Sequence, residues 1–226
     1  MRFSKNFGAF QLNCWNAQSA VPPLHASTSA GRFFTVESAS RDQDAELMLR
    51  ARNGDDAAFE ALVDRYRQPL ASLFFRMTYD QSVAEELAQE TFLCAYRLRK
   101  TCAVDTQFTI WIYRIGVNLA VSRARDIHAK AALGIDKRDE ETDLTPDIAT
   151  PSPTPEQAIL RREKVAAVRR YIDALPERER LAVLMHKYQG LDCRQIAGVL
   201  ELSESATKLL LLRAYKTLGE KLKEFL

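Results

Sequence analysis

A short acidic cluster is the first group of side chains whose spacing suggests a chemical role. Its members would share one side of a helix: Glu85, Glu86, Gln89 and Glu90. Carboxylates near a helix start stabilise that helix through its macrodipole by about 0.3–1 kcal/mol each, and they can also bind a basic partner. The dipole alone would account for the acids, but it gives glutamine no advantage. The cluster therefore keeps a partner-binding role open.

A second group is basic and amide-bearing. Arg114, Asn118 and Arg125 recur at helical intervals on one side of a predicted helix. Cations along phosphates and amide contacts to exposed bases are what a protein needs to hold melted DNA. The prediction of nucleic-acid binding depends on where these charges lie, because the chain as a whole is nearly neutral, with 32 Lys and Arg against 30 Asp and Glu.

Residue types that perform catalysis or bind metals are present but scattered. The three histidines are isolated: His25, His128 and His186. The four cysteines form no C-x-x-C pair: Cys14, Cys94, Cys102 and Cys193. Without a Ser/His/Asp set, a carboxylate pair or a phosphate loop, the sequence predicts no enzyme, no metal and no cofactor. We expect reduced thiols in a cytoplasmic protein, and no apolar run approaches the roughly 18 residues of a membrane span.

Two helices joined by a short polar loop must position the acidic and basic groups. Ser82, with Glu85 three residues later, has the spacing of a capping box and predicts a helix from about Val83. The second helix has an apolar spine that includes Trp111, whose spacing favours a place in the core over base stacking.

The rest of the chain predicts an all-α protein of two small helical domains, the second containing a helix-turn-helix. We expect a disordered or loosely docked extension over residues 1–42, a core domain over 43–127, a flexible linker over 128–153 and a C-terminal domain over 154–226. Within the core domain, Gly54 should end a short helix, Asp55 or Asp56 should cap the next, and Pro69 should kink or restart it.

In the C-terminal domain, cap signals divide the helices. Thr154 and Pro155 open the first helix, and Gly190 closes a later one. Asp192 with Gln195 caps a short helix, and Ser203 caps the long helix that follows a brief turn. This pattern predicts the helix-turn-helix, with its second helix placed to enter a DNA major groove.

The segments E-L-A-Q-E-T-F and F-T-I-W-I-Y-R-I-G-V-N-L-A resemble the core domain of bacterial RNA polymerase sigma factors of the extracytoplasmic-function (ECF) class. The resemblance covers about residues 43–222 apart from the linker. It implies a sigma factor that binds core RNA polymerase, directs it to a promoter and helps to open the DNA. No catalysis of its own and no membrane insertion are implied.

The resemblance also assigns roles to residues. The acidic cluster matches the surface that binds the clamp helices of the largest polymerase subunit, with Gln89 and Glu90 matching the family motif residue by residue. The residues implied for the −10 element are Arg114, Asn118, Arg123, Arg125, Thr101 and Asp105. Those implied for the −35 element are Arg194, Ser203, Glu204, Ser205, Thr207, Lys208 and Arg213. An anti-sigma protein is a further implied partner.

The second helix of the helix-turn-helix departs from the family pattern. Leu209, Leu210 and Leu212 replace residues that are more polar or larger in the family, and Glu201 stands where glycine is usual. Either the −35 element is recognised through phosphates, shape and thymine methyls, or this side packs against protein. Two other functions therefore remain open: a helix-turn-helix regulator that acts without polymerase, and a degenerate sigma-like adaptor or decoy.

Overall fold

The computed structural model describes residues 36–102, 107–132 and 155–223. These residues form eight α-helices and one short 3-10 helix, Arg99–Thr101. The α-helices are α1 (Val36–Arg52), α2 (Asp56–Thr78), α3 (Gln81–Leu98), α4 (Phe108–Ala132), α5 (Pro155–Asp173), α6 (Glu177–Tyr188), α7 (Cys193–Leu200) and α8 (Glu204–Leu222). The predicted all-α class is confirmed. Most of the predicted extension and linker lies outside the described residues.

Helices α1 to α4 form the N-terminal domain, and local signals fix most of their ends. Gly54 has a left-handed φ of 97° after α1, and Asp55 caps α2 by accepting from the amide of Ala58 at 3.1 Å. The helix α2 runs through Pro69 without restarting. Helix α1 begins at Val36 and α4 ends at Ala132, so both extend beyond the predicted domain limits of 43 and 127.

The predicted cap of α3 is wrong. Asp80 is the N-cap, and its carboxylate accepts from the amide of Val83 at 3.0 Å. Ser82 lies inside the helix, which begins at Gln81. Aspartate is as good an N-cap as serine, and Tyr79, with φ of 58°, turns the chain directly before it. The three-residue spacing from Ser82 to Glu85 was therefore insufficient to choose between two good cap residues that lie two positions apart.

The core of the N-terminal domain is made by α2, α3 and α4. Leu70, Phe74, Leu87 and Ile112 are fully buried. Trp111 is 6% exposed, which confirms its predicted place in the core. Helix α4 therefore points its apolar spine inward and leaves the remaining sides for polar contacts.

Helices α5 to α8 form the C-terminal domain, and α7 with α8 forms the helix-turn-helix. Asp192 and Gln195 make the predicted reciprocal capping box on α7. Ser203 accepts from the amide of Ala206 at 3.1 Å and caps α8. Between them, Glu201 adopts the left-handed conformation, with φ of 55° and ψ of 47°. A side chain in this conformation costs about 1 kcal/mol relative to glycine, the residue that is usual at this position in the family.

The two domains pack directly on each other, and their buried apolar residues form one continuous cluster. Helix α7 crosses α4 at Gly198, where a Cβ atom would lie 2.7 Å from Cγ2 of Ile110. A side chain at position 198 would therefore require the Ile110 side chain to shift. The close crossing brings the turn of the helix-turn-helix next to the polar side of α4.

Candidate binding surfaces for protein and nucleic acid

The acidic cluster lies on the outer side of α3. Glu85, Glu86 and Gln89 are exposed, and Glu90 is half-buried at the edge of the same side. Gln81, one turn earlier, donates to Glu85 Oε1 at 2.7 Å. Three of the four predicted side chains are thus accessible to a partner, and the fold does not bury them for its own stability.

One end of this acidic surface is joined to α4 by an ion pair. Arg123 Nη2 lies 2.7 Å from Glu86 Oε2, and the two side chains are 40% and 57% exposed. Burial raises the pKa of the neighbouring Glu90 carboxyl, while the positive charge of Arg123 opposes that shift. Arg123 therefore acts on both acids, which the sequence alone did not indicate.

The basic residues of α4 divide between two sides of the helix. Arg114, Asn118 and Arg125 lie on one side, because intervals of four and eleven residues return to nearly the same direction at about 100° per residue. Arg123 is nine residues after Arg114 and therefore points about 180° away from it, toward α3 and Glu86. The structure does not bring Arg123 together with the other predicted −10 residues.

The remaining −10 residues differ in accessibility. Asn118 is exposed, whereas the side chain of Arg114 is only 12% exposed and lies 3.7 Å from Glu201 Oε1. Arg125 is 73% exposed and lies 3.7 Å from Glu177 Oε2. Both arginines thus face carboxylates of the C-terminal domain.

The segment before α4 is described only at its start. Thr101 is exposed, and its hydroxyl donates to the carbonyl of Leu98 at 2.7 Å. Cys102 is buried, and burial raises the pKa of its thiol to about 11. Asp105, predicted to take part in base selection, lies outside the described residues.

The start of α8 carries most of the predicted −35 residues. These side chains are exposed: Arg194, Ser203, Glu204, Ser205, Lys208 and Arg213. Lys208 Nζ lies 2.6 Å from Glu204 Oε1, and this hydrogen bond raises the pKa of the Lys208 ammonium. A phosphate that binds here must therefore compete with Glu204 for the lysine.

Thr207 corrects the sequence prediction. Its side chain is fully buried, and its hydroxyl donates to the carbonyl of Ser203 at 3.1 Å. It therefore stabilises the first turn of α8 from inside and does not reach DNA. Its spacing placed it next to exposed residues, but a helical pattern alone could not tell which of the polar positions faces the domain core.

The leucines that depart from the family pattern also differ in their exposure to solvent. Leu209 is 55% exposed and Leu212 is 65% exposed, whereas Leu210 is half-buried. The outer side of α8 is therefore a mixture of apolar and basic side chains. Such a surface can contact thymine methyls as well as phosphates.

The described ranges hold no group of three or more His, Cys, Asp and Glu that could bind a metal ion. Within the same ranges, no helix is long and apolar enough to cross a membrane.

Comparisons with known proteins agree with this architecture. The family model of sigma-70 region 2 matches residues 62–129, and that of sigma-70 region 4 matches residues 166–218. The RNA polymerase sigma-H factor of Pseudomonas aeruginosa is 31% identical over 83% of this chain and 97% of its own length. The ECF RNA polymerase sigma-E factor of Salmonella typhimurium is 30% identical over 79% of this chain and 93% of its own.

Two solved structures have the same fold. CnrH, in complex with the cytosolic domain of CnrY, aligns with a TM-score of 0.60 at 23% identity over 81% of this chain and 99% of that one. The sigma factor RpoE of Bartonella quintana, in complex with the anti-sigma factor NepR, aligns with a TM-score of 0.58 at 17% identity over 73% and 96%. The chain belongs to the sigma-70 family of RNA polymerase sigma factors. Within that family it is of the ECF class, as predicted, and its function is to direct polymerase to promoters.

Proposed function

We propose that this sigma factor binds the clamp helices of the largest polymerase subunit through the acidic surface of α3. Glu85, Glu86, Gln89 and Glu90 would make this contact. The observation that carries the assignment is that the fold leaves Gln89 exposed with two of the acids. Neither the helix dipole nor internal packing accounts for Gln89, and its position matches the family motif.

We assign the −10 element to the side of α4 that carries Asn118, Arg114 and Arg125. Exposed amide and guanidinium groups suit melted DNA, since they can contact base edges and phosphates. Thr101 and Asp105, before α4, are the proposed base-selective positions. Arg123 belongs to this set by family position, although its side chain is directed toward Glu86.

We assign the −35 element to the start of α8 and to Arg194 on α7. Free amides at a helix N-terminus favour phosphate, and Ser205, Lys208 and Arg213 are exposed around that end. At the same helix end, Ser203 caps α8 and Glu204 pairs with Lys208. Leu209 and Leu212 would then contact apolar groups of the major groove, such as thymine methyls.

We further propose that the chain acts in the cytoplasm, has no catalytic activity of its own and is held inactive by an anti-sigma protein. Two proteins of the same fold were solved as complexes: CnrH with the cytosolic domain of CnrY, and the sigma factor RpoE with the anti-sigma factor NepR. The exposed Leu209 and Leu212 offer such a protein an apolar surface.

The polymerase assignment is tested with a double variant of α3. Gln89→Ala combined with Glu90→Lys should weaken binding to core polymerase at least about tenfold, because losing a buried charge contact at an interface costs roughly 2–5 kcal/mol. The matched control is Glu60→Lys, an exposed acid on α2 with the same change in charge. Equal affinities for the variant and the control would refute the assignment, provided that circular dichroism shows both are folded.

The DNA assignments are tested separately on the holoenzyme. Lys208→Ala and Arg213→Ala should weaken promoter binding and reduce its salt dependence, since each removes one phosphate contact. Affinity for core polymerase should stay the same. If promoter binding is unchanged while core binding is intact, α8 does not recognise the −35 element, and an adaptor or decoy function is favoured.

A further inference from the structure

A buried carboxylate joins the first two helices of the N-terminal domain. Asp44, on α1, is 3% exposed, and each of its oxygens accepts from a side chain of α2. The Arg65 guanidinium donates to Oδ1, and the Tyr66 hydroxyl donates to Oδ2. Burying a carboxylate is unfavourable unless such partners compensate for the lost water. Asp44 therefore links α1 to α2 through directed polar contacts at a place where apolar packing is usual.

The hydrogen bonds continue from α2 to the first turn of α4. Tyr66 Oη lies 2.7 Å from Thr109 Oγ1, and Thr109 directly follows Phe108, the first residue of α4. An ionised carboxylate can only accept, so the single hydroxyl proton of Tyr66 goes to Asp44 and Thr109 is the donor to Tyr66. Burial raises the pKa of the Tyr66 phenol, and the hydrogen bond to Asp44 raises it further. Tyr66 thus stays protonated and connects Thr109 to Asp44.

The ring of Tyr66 contacts the same turn of α4. Phe108 is 2% exposed and packs edge-on against this ring, with 5.1 Å between the ring centres and 70° between the ring planes. Tyr66 therefore holds two consecutive residues of α4, one with its ring and one with its hydroxyl. Ring packing tolerates sliding, whereas a hydrogen bond depends on distance and angle. The polar contact is thus the one that fixes the rotation of α4 at its first turn.

Helix α1 also supports the chain just before α4. It packs on the 3-10 helix that ends at Thr101. The next residue, Cys102, is 3% exposed, and the positive charge of Arg52, the last residue of α1, acts on its thiol. One helix therefore supports both Thr101, a proposed base-selective residue, and the start of α4.

The proposed −10 contacts lie a short distance beyond the anchored turn. At about 1.5 Å per residue, Arg114 lies about 7.5 Å and Asn118 about 13.5 Å along the helix axis from Thr109. A change in the rotation of the helix start would move both side chains relative to the bases. Phosphate contacts supply affinity without sequence information, whereas contacts to bases supply discrimination. Rotation of α4 should therefore affect base discrimination more than overall binding.

We propose that Asp44 and Tyr66 are positioning residues for −10 recognition, which act through Thr109 to hold α4 in the orientation that recognises the promoter bases. The inference rests on the proposed DNA-binding role of α4. Both residues are buried, so neither contacts DNA itself. Stability alone does not require them, since replacing a buried ion pair by packed apolar groups is often neutral or stabilising. A fully satisfied polar network instead specifies one arrangement of the core.

The test removes the two hydroxyls one at a time. Tyr66→Phe keeps the ring, and Thr109→Val keeps the shape of the side chain. Each variant is combined with core polymerase, and transcription is measured from a promoter selected from a genomic fragment library and from single-base substitutions of its −10 element. The ratio of transcription from the preferred element to that from the substituted elements should fall roughly twofold to tenfold, as expected for the loss of one hydrogen bond. Affinity for core polymerase should stay within about twofold of the unmodified value, because α3 is not altered.

Two further variants are the controls. The hydroxyl of Tyr96 donates to Asp56 Oδ1 at 2.8 Å and joins α3 to α2. Tyr96→Phe thus loses the same kind of hydrogen bond in the same domain, at a site that does not include Thr109, and it should keep full base discrimination. Thr109→Ser keeps a hydroxyl donor and should retain the discrimination that Thr109→Val loses.

The free chain allows a measurement without DNA. Amide hydrogen exchange at residues 111–114 should be faster in Tyr66→Phe and Thr109→Val than in Tyr96→Phe, because the first turn of α4 then opens more often. Equal exchange at these amides in the three variants would contradict the anchoring of α4.

The transcription results separate this inference from the proposed function. Base discrimination by Tyr66→Phe and Thr109→Val equal to that of Tyr96→Phe would overturn the positioning role. A uniform loss of transcription from all −10 elements would overturn it too, because a network that only stabilises the domain leaves the ratio unchanged. If Asn118→Ala keeps the full discrimination of the unmodified chain, the proposed DNA-binding role of α4 fails, and the inference fails with it.

Discussion

Replacing Arg123 by alanine should tighten the binding of this sigma factor to core polymerase. Arg123 Nη2 is 2.7 Å from Glu86 Oε2 in the free chain, and Glu86 belongs to the surface that we assign to the polymerase. A basic group of the polymerase must therefore displace Arg123 before it can pair with Glu86. Removing the arginine removes this internal competitor.

The exposure of the pair sets the size of the effect. With side chains 40% and 57% exposed, water and salt screen the pair, and such surface pairs contribute about 0.2–1 kcal/mol. If the whole pair is lost on binding, Arg123→Ala gains that amount, which is about 1.4-fold to fivefold in the dissociation constant. The gain should shrink as salt is raised, because both interactions are screened.

The assay is fluorescence anisotropy of labelled sigma factor titrated with core polymerase at two salt concentrations. Arg67→Ala is the matched control, since Arg67 is an exposed arginine on α2 and its loss changes the net charge equally. Weaker core binding by Arg123→Ala than by Arg67→Ala would refute the competition and would mean that Arg123 itself contacts the polymerase. Equal affinities would mean that Glu86 is not used.

Three further outcomes follow from burial. Gly116→Ala should lower the free energy of unfolding in urea by about 1–3 kcal/mol, because its Cβ would lie 2.7 Å from Cζ of the fully buried Phe74; an unchanged midpoint would contradict the packing. Cys102, with a pKa of about 11, should react with iodoacetamide at pH 8 far more slowly than the half-buried Cys193, as peptide mass spectrometry would show, and equal rates would contradict its burial. Burial raises the pKa of the Glu90 carboxyl, so the protonated carboxyl favours the folded state and this stabilisation is lost as pH rises through the folded pKa. Glu90→Gln should therefore be more stable than the unmodified chain at pH 7 and should lose this advantage near pH 4. A difference in the free energy of unfolding that does not change with pH would contradict the pKa shift.

Local sequence signals predicted the helices and most of their ends. The capping box of Asp192 and Gln195, the Ser203 cap and the positive φ of Gly190 all involve groups a few residues apart. Such contacts depend on few neighbours, so a pattern can identify them. The cap of α3 shows where such local signals fail. Ser82 was predicted and Asp80 is observed; both are good N-cap residues two positions apart, and the turn at Tyr79 places the helix start after Asp80.

The direction of individual side chains was harder to predict. Thr207 and Lys208 are adjacent in sequence and both belong to the family pattern, yet one is fully buried and the other is exposed. Arg123 and Arg125 are likewise two residues apart but face different neighbours. The side toward which a helix turns depends on which helices pack against it, and this is a tertiary property.

The contact between the domains left no recognisable sequence signal. Glu201 meets Arg114 across 87 residues of chain, and Gly198 meets Ile110 across 88. A glycine in a short helix or a glutamate in a turn has many explanations when seen alone. Only the packing of α7 on α4 shows that the proposed DNA-binding side of one domain is covered by the other.

The central claim is that this chain gives core RNA polymerase the ability to start transcription at specific promoters. It is tested most directly by adding the purified chain to core polymerase and mapping the 5′ ends of transcripts made from a genomic fragment library. The account predicts a stable complex with core and transcripts that begin at discrete sites only when the chain is present, and these are lost with Gln89→Ala combined with Glu90→Lys but kept with Glu60→Lys. Failure to bind core, or a complex that starts no specific transcript, would contradict it.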